Sequence, residues 1–556
     1  MEMLYFFERG FLRGEICSMN LKAKIGCFLV LAFSALFFTF PVARTSACTI
    51  VAAGRETTAD GSVLNSHTAD GWFYDSNIRV VPGGTFPKGS TVAVYINMLG
   101  DEGTPEKVAE IPQAEHTYGY FHTGYSCFNE RQLSISESTI GQKENLYTFA
   151  HEASAFMTVE QMEVLALQRA GTAREAITFM GKLAEKYGFL PSCNNQGECL
   201  VVADPREVWV FEVFSVGLGW SPDSSEPGAV WAAERVPDDE AVVVTNSSRI
   251  QEIDLSRPDY FMASPNYMEP AVREGWFDPS GNEPFNWQKA YSPAAGYWSL
   301  SSMWQRERLH YVHKRLCPSR SWDPYSETAS YPFSVKPEKK LSVGDIMAIL
   351  RSPLEGTPFD MEDDKAWIVQ DVNGNSVKSE LATPFPGRAT RRLMNIPYHR
   401  PVAAKTSYSF VSQARSWLPD WIGGVLWFAL GRPYVSCYVP IYAGTRNIPE
   451  SWRNFDPDVF STDSTRWAVT LADDLVNRRY QLAVKDLKKV RDPMEDTFLR
   501  DQEKTEQEAL RLYKISPGKC RDYLSSYTEE CMNLVGRTYW QLCLDLIPKY
   551  TSDRCW

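Results

Sequence analysis

The sequence predicts an α/β layered fold, on three observations. A short apolar run, a turn and a second run open at Cys48. A helical stretch follows over 159–188. A strand pair then spans 200–213, with further strands and helices after it. Strands flanked by helices on both sides bury their apolar faces best in packed layers. With 44% hydrophobic and 13% aromatic residues, the 556-residue chain can bury a substantial core. Its net charge of −12, with acid and base mixed along the chain, disfavours nucleic acid and gives no membrane-surface signal.

Residues 1–47 read as a leader. Arg9, Arg13, Lys22 and Lys24 carry positive charge, 26–40 is almost wholly apolar, and Thr45, Ser46 and Ala47 are small residues before a cut. The apolar run is shorter than the roughly 18–20 residues a spanning helix needs. Met19 to Ala47 alone makes a well-proportioned signal peptide, so Met1 and Met19 both stand as starts. The leader implies export, to the periplasm or the medium, with signal peptidase as the maturation partner.

The mature chain then opens on Cys48. Thr49 to Ala53 is a short apolar strand, Thr58-Ala59-Asp60-Gly61 a turn, and Val63-Leu64 the start of a second strand. Over 159–188 the helix signal includes Thr172 followed by Glu175, then Ile177, Met180, Leu183 and Ala184, with Gly188 as the stop. Leu200 to Val213 is a hairpin around Asp204-Pro205-Arg206-Glu207. Ala241 to Thr245 is a strand, Leu341 to Leu350 a helix and Val435 to Tyr442 a strand. Residues 471–513 are charged and helical with a break at Asp492-Pro493, and 523–550 is a last helix. The expected division is 1–47 leader, 48–470 main domain and 471–556 helical extension with a cysteine-bearing tail.

Ten of the 12 cysteines follow the leader. An oxidising destination makes disulfides plausible, and Cys193 with Cys199 across Asn194-Asn195-Gln196-Gly197 is the expected local bridge. Cys531 and Cys543 on one helix lie about 18 Å apart, beyond the roughly 7 Å that a bridge spans. No close cysteine pair supports zinc.

A cysteine exposed by cleavage carries its own base. The α-amine, at about 7.7–8.0, and the thiol, at about 8.5, exchange a proton near neutral pH. Three readings of Cys48 follow from the leader: a nucleophile, a lipidated anchor or a structural cysteine. Ser46 and Ala47 suit lipidation, but Thr45 stands where Leu is usual. Lipidation and nucleophilic catalysis exclude each other.

The downstream residues bear on that choice. Cys48-Thr49, Ala59-Asp60-Gly61-Ser62 and Asp70 resemble the opening of the N-terminal-nucleophile (Ntn) cysteine dipeptidases, relatives of the secernins. Later stretches are similar in order: Asn129-Glu130, Val201-Val202-Ala203-Asp204-Pro205, Thr245-Asn246, Tyr408-Ser409-Phe410-Val411 and Ile422-Gly423-Gly424-Val425. The resemblance implies a four-layer αββα sandwich, with the C-terminal helices as an elaboration. It implies amide hydrolysis by Cys48 through a thioester, with no metal or organic cofactor. The wider superfamily includes penicillin V acylase and bile-salt hydrolase, so N-acyl amides stand beside dipeptides as substrates. A non-catalytic lipoprotein anchored at Cys48 is the third reading. Oligomeric state is open, a homo-oligomer included.

By the same resemblance, Asn246 and Asn129 are the candidate oxyanion donors and Asp70 orients the terminal amine. Each also has an ordinary reading: Asn246 as a strand-end turn residue within the sequon Asn246-Ser247-Ser248, Asn129 as a turn residue, Asp70 as a solvated loop acid. His67 falls where the family commonly carries Arg, which bears on substrate orientation because Arg is always charged and His is not. His67 and Arg249 are the candidate substrate contacts, with a surface arginine as the alternative for Arg249. His310 and His313 could ligate a metal, but nearby Arg306, Arg308, Lys314 and Arg315 favour a solvated basic face.

Overall fold

A computed structural model of the chain describes residues 48–71, 75–100, 103–191 and 195–551. The leader, Cys193 and Cys555 lie outside the described residues. The strands that build the site are β1 (Cys48–Ala53), β2 (Val63–Asp70), β3 (Ser134–Ile140), β4 (Gly197–Ala203), β5 (Val208–Ser215), β6 (Ala229–Val236), β7 (Ala241–Val244), β8 (Thr406–Ala414), β9 (Val425–Leu430) and β10 (Val439–Tyr442). One seven-stranded sheet runs Ser334–Val335, β7, β1, β2, β8, β9, β10. A second, eight-stranded sheet contains β6, β5, β4 and β3 in that order, flanked by short strands. All their pairings are antiparallel.

The two sheets meet where β3 packs on β1 and β2, and β4 on β2. Strand alternation explains the contact. Ile50 and Ala52 share one face of β1 and bury against Val201 of β4 and Val210 of β5, while Val51 and Ala53 join the other core. Cys48 has the parity of Ile50 and Ala52, so its side chain starts from the face between the sheets.

Helices cover the sheets. The expected helix over 159–188 is two, α1 (Val159–Arg169) and α2 (Ala173–Tyr187), divided at Ala170–Thr172. Thr172 and Glu175 form a reciprocal capping box that starts α2, the local signal the sequence carries. Helix α2 packs on β4, β5 and β6. On the first sheet, α3 (Met303–Leu316) packs on β7, and α4 (Val343–Leu350) on β2 and β8.

At the far edge of that sheet sit α5 (Thr465–Arg478), α6 (Tyr480–Ile515) and α7 (Pro517–Tyr550), against β9 and β10. The expected domain boundary at 470 falls inside α5, whose Ala468 and Val469 belong to the main core. No break occurs at Pro493, which lies within α6; the interruption is at Arg479. Tertiary contacts outweigh the proline there: Met494 and Phe498 are core residues, and Glu495 receives both terminal nitrogens of Arg351, at 2.7 and 2.5 Å. The last helix starts at Pro517, before the expected 523, with proline in the first turn where its missing N–H costs nothing.

The strand expected from Val435 begins only at Val439, because 432–436 forms a turn. Pro440 is accommodated on β10 because that strand is a sheet edge. Cys199 is a buried thiol on β4; the expected bridge to Cys193 falls outside the described residues. Cys520, Cys531 and Cys543 are free and buried along α7, where they pack as small apolar side chains.

Candidate active site

Cys48 begins β1, between β2 and β7. It pairs with Ala69, one residue before Asp70. Its nitrogen donates to Asn246 Oδ1 at 2.9 Å. Its carbonyl accepts from Arg308 Nη1 at 2.6 Å. Its thiol reaches a Glu137 carboxylate oxygen at 3.6 Å. The residue is 1% exposed.

Asn246 follows β7 and turns the chain with φ +67°. Asparagine tolerates that left-handed conformation better than most residues. Its backbone N–H donates to Ser138 Oγ at 3.1 Å, and its amide donates to the Thr139 carbonyl at 3.0 Å. Its Oδ1 takes both the Cys48 nitrogen and Arg308 Nη2. One asparagine thus joins β1, β3 and α3. The side chain is fully buried, so the sequon is not a surface acceptor.

Arg308 is a site residue that the sequence pattern does not reveal: its charged neighbours suggest a solvated basic face, yet it is 1% exposed on α3. Nη1 also donates to Thr49 Oγ1 at 2.9 Å, and Nη2 to the Thr245 carbonyl at 3.0 Å. Burial brings its guanidinium down to about 10, with the Arg400 charge adding to the effect and Asp70 opposing it. It remains charged at neutral pH. His310 and His313 on the same helix are buried too, so the solvated face is corrected there as well. His313 Nδ1 bonds the Leu309 carbonyl, and its ring lies against Trp322 and Tyr331. The available signal was Leu309, Val312 and Leu316 at helical spacing beside it, which marks a buried helix.

Asp70, expected as a loop acid or an anchor for the amine, ends β2 fully buried. Its Oδ2 accepts from Arg400 Nη2 at 3.1 Å. Burial raises its carboxyl to about 6, against the charges of Arg400 and Arg308. The sequence pattern does not reveal Arg400 either. Its Nη1 reaches the Tyr297 hydroxyl at 3.2 Å, and its backbone N–H donates to Glu307, which also holds His399. Two buried guanidiniums therefore act on Asp70 beside the start of β1.

His67 lies on β2, edge-on to Tyr125, Tyr408 and Phe410. Burial brings its imidazole down to about 3, partly opposed by the Glu137 backbone, so the ring is neutral at pH 7. The donor atoms of Cys48, His67 and Glu137 lie within 4.8 Å of one another. Burial pushes the Glu137 carboxyl up, against hydrogen bonds with Glu198, Thr139 and Cys48.

Two expected site residues are fastened elsewhere. Asn129 spends both amide hydrogens on the Leu167 and Ala170 carbonyls, at 2.8 and 2.9 Å, and its Oδ1 on the nitrogens of Arg131 and Leu133. It ties off the end of α1 and has no donor left for an oxyanion. Arg249 is fully buried rather than a surface residue, and its guanidinium is turned to backbone carbonyls. Its terminal nitrogens donate to the carbonyls of Thr328, Tyr331 and Pro332, and its backbone N–H to Glu212.

Residues 47–492 match the model of peptidase family C69. A probable dipeptidase of Latilactobacillus sakei is 24% identical over 76% of this chain and 79% of its own length. A probable dipeptidase of Salmonella dublin is 23% identical over 73% and 82%, and dipeptidase A of Lactobacillus helveticus 20% over 79% and 84%. The chain belongs to peptidase family C69 and is a peptide-bond hydrolase. The match starts one residue before Cys48 and spans Asp70, Asn246, Arg308 and Arg400.

Proposed function

We propose that this member of peptidase family C69 is an exported cysteine dipeptidase whose nucleophile, Cys48, is unmasked by cleavage after Ala47. The observation that carries the reading is the fastening of Cys48 on both sides, its nitrogen by Asn246 and its carbonyl by Arg308. A residue held this way keeps thiol and nitrogen in fixed relation at the end of a central strand. The relatives' names favour dipeptides over N-acyl amides as substrates. Two antiparallel sheets in face contact, with helices against both, support the αββα Ntn sandwich.

Once the leader is removed, the α-amine takes the thiol proton. The thiolate attacks the dipeptide carbonyl, forming the C–S bond and moving the π electrons onto oxygen. Asn246, whose second amide hydrogen is not taken by Thr139, is the proposed donor to that charge. The ammonium then protonates the leaving amine as the C–N bond breaks. Water, activated by the regenerated amine, hydrolyses the thioester. Asp70, Arg308 and Arg400 supply a fixed field around the strand end. A lipid on Cys48 fits poorly with a side chain packed between two sheets.

The test combines the intact mass and N-terminal sequence of the exported protein with a dipeptide assay of wild type and Cys48→Ala. A free Cys48 at the terminus, dipeptide turnover and its loss in the variant are expected. A chain starting elsewhere, an acylated Cys48, or undiminished turnover in Cys48→Ala would overturn the proposal. Faster cleavage of N-acyl amino acids than of dipeptides would move the substrate class.

A further inference from the structure

We propose that Cys48, His67 and Glu137 form a site for a thiophilic divalent cation of the zinc type, and that the ion, when bound, silences the nucleophile. The three donor atoms come from β1, β2 and β3, so both sheets contribute. They lie within 4.8 Å of one another, with thiol and carboxylate at 3.6 Å. Donors so spaced surround a point within ~3 Å of each, and small side-chain rotations bring that to the ~2.0–2.3 Å of zinc bonds.

His67 is the second, independent observation. Neither ring nitrogen makes a hydrogen bond of good geometry, although the residue is 0% exposed and ringed by Tyr125, Tyr408 and Phe410; only the Glu137 backbone acts weakly on the ring. A buried ring nitrogen so weakly partnered is costly and rare. At most one of the two nitrogens is turned to the Glu137 backbone, and the thiol and carboxylate lie beside the ring for the other. An arginine at this position would repel a cation; the imidazole, held neutral by burial, is a ligand. Sulfur, imidazole nitrogen and carboxylate oxygen together suit zinc rather than magnesium or calcium, which take oxygen alone.

Binding replaces the thiol proton, and any proton on Glu137, by the metal and releases them to solvent, so affinity rises with pH. A metal-bound thiolate donates charge to the ion and is a weaker nucleophile, and the ion stands where the substrate carbonyl must approach the sulfur. The ion is an inhibitor in this account, not a cofactor. The inhibitory half rests on Cys48 being the nucleophile; the ion site does not.

The test titrates the processed protein with cadmium, reading the ultraviolet thiolate-to-metal charge-transfer band. One saturable equivalent is expected, absent in Cys48→Ser, which separates it from the other buried thiols. His67→Ala and Glu137→Gln should each weaken it at least ~10–100-fold, the loss that even outer-sphere partners cause. Equal affinity in His67→Ala, or no band in wild type, would overturn the site. Should the variants not fold, X-ray absorption on zinc-loaded wild type decides. One sulfur at ~2.3 Å with nitrogen or oxygen at ~2.0–2.1 Å and imidazole back-scattering is expected; an all-sulfur or all-oxygen shell would overturn it. Dipeptide turnover that persists with the site filled would overturn the inhibition alone. A protein that binds cadmium this way but cleaves no dipeptide in any condition would sink the dipeptidase reading and leave the ion site standing.

Discussion

Arg308 holds Cys48 by the backbone: Nη1 donates to the Cys48 carbonyl at 2.6 Å, across 260 residues of sequence. The same guanidinium reaches Thr49, Thr245 and Asn246. Its fork geometry fixes the ends of β1 and β7 relative to each other. A lysine keeps the charge but has no fork to span these acceptors.

Arg308→Lys should therefore lower kcat/KM at least ~10²-fold while the protein remains folded, since a small misplacement of reacting groups costs that much. Arg308→Ala should also lose ~2–4 kcal/mol of stability, because buried carbonyls lose their donors. Dipeptide kinetics and thermal melts on both variants are the measurements. Arg308→Lys with wild-type kcat/KM would mean that the alignment of Cys48 does not depend on the fork.

Asn246 gives a second prediction. Its Oδ1 serves Cys48 and Arg308 together, and its backbone is left-handed. Asn246→Ala removes the acceptor and adds backbone strain, and should cut kcat by ~10²–10³-fold, as loss of an oxyanion donor does. Asn246→Asp keeps the acceptor but loses the amide donor to Thr139; it should recover fastening without rate. A kcat for Asn246→Asp matching wild type would exclude the amide from oxyanion stabilisation. The same burial predicts that intact mass finds no glycan at Asn246 even in a glycosylating host.

Asp70 makes stability depend on pH in an unusual direction. Its carboxyl is raised from 3.8 to about 6 in the fold. The folded state thus holds the proton more tightly than the unfolded chain, and stability falls as pH rises from about 4 through 6. The rise corresponds to ~3 kcal/mol at most. Relative to wild type, Asp70→Asn should gain stability across that window and be flat outside it. Paired denaturation curves at pH 4, 5, 6 and 7 measure the difference. A constant difference between the two proteins at all four values would mean that Asp70 titrates at its ordinary value.

Local signals carried the elements that local chemistry decides. The strand opening at Cys48, the turn at Gly61, the hairpin at Asp204–Glu207 and the Thr172–Glu175 box each depend on residues a few positions apart. Asn246 is singled out by its resemblance to the dipeptidase pattern, while the strand run ending beside it points only to a turn; the structure sets it against the Cys48 nitrogen. Arg308 and Arg400 are not legible, because their partners lie 260 and 330 residues away and a charged residue reads as surface until its acceptors are known. Pro493 shows the converse: a local rule expected a break, and buried contacts on either side of it kept the helix whole.

The C-terminal helices should prove part of the catalytic fold's stability rather than an appendage. Arg415, just after β8, donates to both carboxylate oxygens of Glu506 on α6, at 2.8 and 2.6 Å, with side chains only 6% and 12% exposed. Its other donors hold the Ile422 and Gly423 carbonyls before β9. Removing one partner of such a pair leaves a buried charge, so Arg415→Ala should cost ~3–5 kcal/mol. Glu506→Gln should cost less, because the neutral amide still accepts a hydrogen bond. The pair touches β8 and α6, and α6 packs on β10, four strands from β1. The kcat/KM of the folded fraction should therefore stay near wild type in both variants. Urea denaturation with parallel dipeptide assays distinguishes the cases. Unchanged stability in Arg415→Ala would mean that α6 is held by its apolar contacts alone, and a fall in kcat/KM without a fall in stability would place Arg415 in communication with Cys48.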